Sequence, residues 1–192
     1  MLIEIEKTPN PATRKFLPGR TVMQSGGRDF PNADSAEASP LAEALFATGM
    51  VDGVYFGRDF VSVSAAPTIE WEQLEAEVLS ILLDHFMLDS PLFRAGTAAG
   101  IDVAADEPIG FDEDPADSDI IEQIKELLET RVRPAVAQDG GDIVYRGYKG
   151  GKLYLGMQGA CAGCPSSMVT LKRGVESLIK HYVPEVETIE AI

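Results

Sequence analysis

The segment that most restricts how this chain can fold is one that cannot build a core. Residues 89–117 hold three Pro, three Gly and eight acidic residues against one Arg. Apolar periodicity is almost lost there, so the stretch buries too little to offset the entropy of ordering it. Repulsion among its acids is expected to keep it extended as a linker and to let the parts on either side move relative to each other. It divides the 192-residue chain into an N-terminal part, 1–88, and a C-terminal part, 118–192, each long enough for one small core.

The N-terminal part mixes strand and helix signals. Leu2–Ile3–Glu4–Ile5–Glu6 reads as a strand, and Pro9, Pro11, Pro18 and Gly19 punctuate the next stretch. Ser39 is a cap and Pro40 a first helical residue for a helix that Gly49 stops. Val51–Tyr55 and Phe60–Ser64 read as a hairpin around Gly57–Arg58–Asp59. Thr68 is expected to cap a further helix with the apolar stripe Trp71, Leu74, Val78, Ile81 and Leu82.

In the C-terminal part, Ser118 is expected to cap a helix that buries Ile121, Ile124, Leu127, Leu128 and Val132, with Arg131 and Arg133 facing its negative end and Pro134 stopping it. Asp139–Gly140–Gly141–Asp142 reads as a turn. Ile143–Tyr145 and Leu153–Leu155 are strands around Gly150–Gly151, and Pro165 opens a helix that Pro184 ends. Val186–Ile192 is a last edge strand. The expected class is therefore α+β, with two small mixed domains, the second in the order α-β-β-α-β.

Charge and hydropathy exclude several functions. Residues 1–117 carry 7 Lys/Arg against 21 Asp/Glu, whereas residues 118–192 carry 9 against 10. An acidic field repels phosphate backbones, so neither nucleic acid nor an anionic membrane is an expected partner. No apolar run approaches the roughly 20 residues that span a bilayer. No nucleophile–base spacing, phosphate loop or metal-ligand helix is found, so no enzymatic activity is expected. The opening MLIEIEKTPNP has no export or organelle signal, which predicts the bacterial cytoplasm.

The chemistry lies in Gly159–Ala160–Cys161–Ala162–Gly163–Cys164–Pro165, which contains the chain's only two cysteines. Thiolate is the form that binds metal or attacks, and a helix N-terminus favours it. Cys161 and Cys164 offer two ligands where iron–sulfur and thiolate zinc sites use four. A two-fold dimer with one pair from each chain supplies the other two. By spacing alone the pair fits a bridging iron–sulfur cluster, a bridging zinc, thiol–disulfide exchange or inert cysteines. Exchange enzymes place such a pair in a βαβ unit, and the hairpin before this pair is not one. His85 and His181 have no spacing relation to the loop; both are expected at packing or surface positions. Asp139 and Asp142 are expected to serve the turn. Met157 and Met168 read as core or as an apolar shell for the loop, and the Pro-rich region around Asn10 as a binding loop or a rigid connection.

Residues beyond the cysteines carry a family resemblance. Arg133–Pro134–Ala135–Val136, Asp139–Gly140–Gly141–Asp142, Met157–Gln158–Gly159–Ala160–Cys161–Ala162–Gly163–Cys164–Pro165–Ser166–Ser167, Thr170–Leu171–Lys172 and His181–Tyr182–Val183–Pro184–Glu185–Val186 resemble the C-terminal domain of NifU and Nfu-type proteins. Thr8–Pro9–Asn10–Pro11, Lys15–Phe16–Leu17–Pro18–Gly19, Ser39–Pro40–Leu41–Ala42 and Phe56–Gly57–Arg58–Asp59–Phe60 resemble the Nfu N-terminal domain. The resemblance implies a non-enzymatic carrier in which Cys161 and Cys164 of each chain bridge a [4Fe–4S] cluster across a homodimer; two cysteine pairs also accommodate [2Fe–2S]. It implies apoprotein clients of the aconitase or lipoyl-synthase kind, an upstream cluster scaffold, and partner recognition by the first domain. Gly159, Gly163 and Pro165 would shape the loop.

Overall fold

The computed structural model describes residues 2–96, 114–162 and 165–192. It contains two compact units, Met1–Asp102 and Val103–Ile192. Residues 97–113, the middle of the acidic stretch, lie outside the described residues.

The first unit is a five-stranded antiparallel sheet in the order β1-β2-β5-β4-β3, with two helices. The strands are β1 (Glu4–Lys7), β2 (Thr13–Leu17), β3 (Arg28–Phe30), β4 (Val51–Phe56) and β5 (Val61–Ala65). Helix α1 (Pro40–Phe46) starts as its sequence predicts: the Ser39 hydroxyl accepts from the Ala42 N–H at 3.3 Å, and Pro40 occupies the first turn. Gly49, at φ +71°, turns the chain back into β4. Helix α2 (Trp71–Met87) buries Trp71, Leu74, Val78, Leu82 and Phe86, one stripe at helical spacing, while Ile81 is only partly covered. Thr68 does not cap it: the capping position is Glu70, whose side chain makes no cap bond. Phe16, Phe30, Phe56, Leu41, Leu45, Leu74 and Leu82 are fully buried. Each contributes on the order of 1.5–3 kcal/mol of transfer free energy.

The sequence reading names neither β2 nor β3, and two further details of this unit bear on it. The region around Asn10, read as a binding loop or a rigid connection, is locally tied: Asn10 is buried, and its side chain accepts from the Ala12 N–H at 3.0 Å. Part of the stretch that composition assigns to a linker is anchored. Phe93 meets the Phe56 ring edge-on at 6.2 Å, and the Arg94 N–H donates to the Ala38 carbonyl at 3.0 Å.

The second unit has a three-stranded sheet in the order β6-β7-β8. Ser118 does not cap a helix but is the first residue of α3 (Ser118–Leu127), whose capping position, Asp117, makes no side-chain cap bond; ahead of it Asp114 caps the short 3-10 turn Pro115–Asp117, its carboxylate accepting from the Ala116 N–H at 2.9 Å. Pro134 does not stop this helical run. Residues Leu128–Val132 form a π-turn, with the Arg133 N–H donating to Leu128 O, and α4 (Arg133–Gln138) continues beyond it. The wider turn relieves the clash between a proline ring and the preceding turn, and the missing N–H falls where the ladder is already shifted. Strands β6 (Gly141–Lys149) and β7 (Lys152–Gly159) form the expected hairpin, with a bulge between Tyr145 and Gly147. Helix α5 (Pro165–Tyr182) then crosses over to β8 (Thr188–Ala191), which pairs parallel to β7. Ile124, Ile143, Leu153, Leu155 and Ile179 are fully buried in its core. The architecture is α+β, as expected.

Candidate functional site

The cysteine loop joins β7 to α5. It is shaped by backbone bonds at the end of the hairpin. Gly159 sits at φ +60°, a left-handed conformation that glycine adopts without a Cβ penalty. The Ala162 N–H donates to Gly159 O at 3.0 Å, the Cys161 N–H to Gln158 O at 3.4 Å and the Ala160 N–H to Gly140 O at 3.1 Å. Cys161 is 3% exposed and belongs to the core of the second unit. Gly163 and Cys164 lie outside the described residues, as do the side chains of 165–172, among them Met168. Helix α5 begins at Pro165.

This placement corrects one element of the sequence reading. β7, α5 and the parallel strand β8 form a βαβ unit, and the cysteines stand between its first strand and its helix. That is the setting in which thiol–disulfide exchange enzymes carry the same motif. The hairpin before the loop concealed it, because the parallel partner arrives only after the helix.

A second correction concerns Asp142. The turn itself is made by Asp139 and Gly140, with Gly140 at φ +80°, and Asp139 is exposed. Asp142 already belongs to β6 and is 5% exposed. Its carboxylate takes both arms of the Arg133 fork, Nε at 2.9 Å and Nη2 at 2.6 Å, and accepts from the Ile143 N–H at 2.8 Å. Glu129 also accepts from Arg133. The Asp142 hydrogen bond raises the guanidinium's affinity for its proton, more than burial lowers it. Arg133 therefore serves this pair rather than a helix dipole. Because helix α4 intervenes, nine residues of separation carry no recognisable spacing for such a fork.

The other polar residues do not converge on the loop. His85, in the last turn of α2, stacks edge-on against Phe86; burial first, and Arg20 next, hold it below the usual histidine range. His181 is exposed and lies against Tyr182. Met157 is partly buried against the core. Among the described residues no three His, Cys, Asp or Glu side chains gather as a metal site, and no helix is long and apolar enough to cross a membrane.

The donor chemistry nevertheless fits a sulfur-bound inorganic group. Beside Cys161 the wall is the bare Cα of Gly141, and a Cβ there would fill the room the Cys161 sulfur occupies. A protein holding an iron–sulfur cluster needs such a thiolate donor on a fixed loop.

Comparison with known proteins gives the lineage. Residues 3–89 match the family model described as scaffold protein Nfu/NifU N terminal, and residues 124–190 match the NifU-like domain. The chain is 46% identical over 192 residues to NifU-like protein 4, mitochondrial, and 45% identical to NifU-like protein 5, mitochondrial, both of Arabidopsis thaliana. Each of these matches covers 99% of this chain. The chain is 44% identical over 194 residues to the NFU1 iron-sulfur cluster scaffold homolog, mitochondrial, of Drosophila erecta. It spans 65%, 67% and 65% of those proteins' lengths, respectively. A solution structure of a NifU-like protein from Saccharomyces cerevisiae aligns with 50% of this chain and 86% of its own at 20% identity, TM-score 0.45. The expected bacterial cytoplasmic location is overturned by these relatives, whose names place all three in mitochondria. Its basis was the first residues of a sequence shorter than theirs, which carry no information about a leader. By two domain matches and by identity across its whole length, the chain belongs to the Nfu/NifU-like scaffold family.

Proposed function

We propose that this protein is an iron–sulfur cluster scaffold and carrier, and that Cys161 and Cys164 of two chains together hold a [4Fe–4S] cluster as cargo. The observation that carries the reading is that both cysteines of the chain stand in one loop, on a unit that matches the NifU-like domain. Two thiolates per chain leave a four-iron cluster half-ligated, so a homodimer completes it. A site divided between two chains opens by separating them. A client cysteine then displaces one thiolate at a time by ligand exchange at iron, with no change in oxidation state required. Apoproteins of the aconitase or lipoyl-synthase kind are the proposed clients, an upstream scaffold the supplier, and the N-terminal unit the partner-recognition element. A mitochondrial setting, as its relatives' names indicate, is part of this reading.

The test is anaerobic transfer. Protein reconstituted with iron and sulfide is mixed with apo-aconitase and a metal chelator. Recovery of aconitase activity faster than from free iron and sulfide supports the carrier. Recovery no faster than that control counts against it.

The βαβ setting of the loop favours a second reading, dithiol–disulfide exchange by Cys161 and Cys164. It predicts catalytic reduction of a disulfide substrate with a dithiol reductant, abolished in Cys161→Ser. Absence of turnover removes it.

A further inference from the structure

The two glycines of Asp139–Gly140–Gly141–Asp142 are needed for different reasons. Gly140 has φ +80°, so the turn itself demands glycine. Gly141 opens β6 with ordinary strand backbone that any residue adopts. Yet no side chain fits there. A Cβ on Gly141 would lie 2.4 Å from the Cys161 sulfur and 2.9 Å from both Cys161 N and Gln158 O, where normal contact begins near 3.4 Å. The demand comes from the packed cysteine loop, from the Cys161 sulfur first and from the backbone at Cys161 N and Gln158 O next, and not from the conformation of Gly141 itself.

The position of Gly141 is fixed from several sides. It pairs with Gly159 across the hairpin. Its predecessor, Gly140, accepts the Ala160 N–H at 3.1 Å. Its successor, Asp142, is held by both arms of Arg133. Neither the strand nor the loop can move away freely, so a methyl at 141 must displace the sulfur by about 1 Å and the loop backbone at Cys161 N and Gln158 O by about 0.5 Å. Metal–ligand distances tolerate about 0.2 Å.

We infer that Gly141 is a positioning residue for the cluster ligand: its bare Cα seats the Cys161 thiol, and the Arg133–Asp142 fork holds that seat in register. The inference rests on Cys161 being a ligand, as proposed above.

The experiment uses the full chain with Gly141→Ala. Iodoacetamide alkylation is timed in a Cys164→Ser background, so that Cys161 alone reports. Iron retained after anaerobic reconstitution is counted with both cysteines present. Leu153→Ala serves as a control that loses core packing without touching the loop. The expected result is alkylation of Cys161 at least tenfold faster than in the parent, and less than half the parent's iron, in a protein that still unfolds cooperatively. Alkylation within twofold of the parent in a folded variant overturns the inference, as does an equal acceleration in Leu153→Ala. Faster alkylation with iron fully retained also overturns it. If the parent itself takes up no iron while Gly141→Ala still accelerates alkylation, the seat stands and the cluster reading fails. Should Gly141→Ala alone not fold, adding Cys161→Ala removes the sulfur from the clash and is expected to recover part of the lost Tm. Strictly additive Tm losses would contradict the contact.

Discussion

The first unit fills its interior with rings and leucines, whereas the described core of the second is mainly aliphatic, with Tyr145 and Tyr148, and is joined at one end by a half-buried ion pair and a bare glycine. Phe16, Phe30 and Phe56 are fully buried in the first; among the described residues of the second, the fully buried large side chains are Ile124, Ile143, Leu153, Leu155 and Ile179. The polar devices of the second unit gather at the end of the sheet that carries the cysteines. There Asp142 receives Arg133, and Gly141 meets Cys161. A side chain at position 141 would fill the room the Cys161 sulfur occupies, so a bare Cα and backbone hydrogen bonds shape the loop beside the core that buries Cys161.

The largest expected effect lies in the first unit. Leu82→Ala empties a fully buried position of α2 and is expected to cost about 3 kcal/mol. Urea unfolding followed by Trp71 fluorescence reads the first unit alone, since Trp71 is the only tryptophan. The contrast between the units is wrong if alkylation of Cys161 responds to this change as strongly as the fluorescence does.

In the second unit, Asp142→Ala leaves Arg133 without its fork partner. A loss of about 2 kcal/mol is expected, below the range for a fully buried pair because Arg133 is partly exposed. Asp142→Asn should retain part of the geometry and lose less. Equal stability of all three proteins would show that the pair holds nothing in place. Ser39→Ala, which takes the cap from α1, is smaller, about 1 kcal/mol.

The smallest expected effect is a pH dependence confined to the first unit. Burial and Arg20 hold the folded-state His85 below its ordinary value of 6.5, so folding favours the neutral ring. The stability this contributes is complete above pH 6.5 and declines as pH falls through the lowered folded value. His85→Gln should flatten the Trp71-detected Tm between about pH 7.5 and 5. A Tm profile unchanged by the substitution would exclude His85 as the source.

Much of this architecture was legible from local chemistry. Ser39–Pro40 announced α1, the hydrophobic spacing announced α2 and α3, and glycines marked the β4–β5 and β6–β7 hairpins, whereas β2, paired with β1, and β3 carried no signal that was read. The losses are at places where a distant partner decides. Pro134 reads as a stop because the π-turn before it leaves no local mark. Asp142 reads as a turn residue because its partner lies across a helix. Phe93 and Arg94 read as linker because their acid-rich neighbourhood outweighs two anchoring contacts. The cysteine loop itself was legible from composition, spacing and resemblance. Its setting in a βαβ unit was not, since β8 declares its parallel pairing only in three dimensions. The role of Gly141 was equally hidden, because its backbone is ordinary and its constraint comes from the sulfur and backbone of a loop nearly twenty residues away.

Whether two chains share one cluster through these cysteines is decided by native mass spectrometry of the anaerobically reconstituted full chain, wild type beside Cys161→Ser. The expected spectrum shows a wild-type dimer carrying the mass of about four iron and four sulfide, and a Cys161→Ser protein without that mass. A wild-type monomer free of iron, or a variant that keeps the cluster, would contradict a bridging cluster held by Cys161.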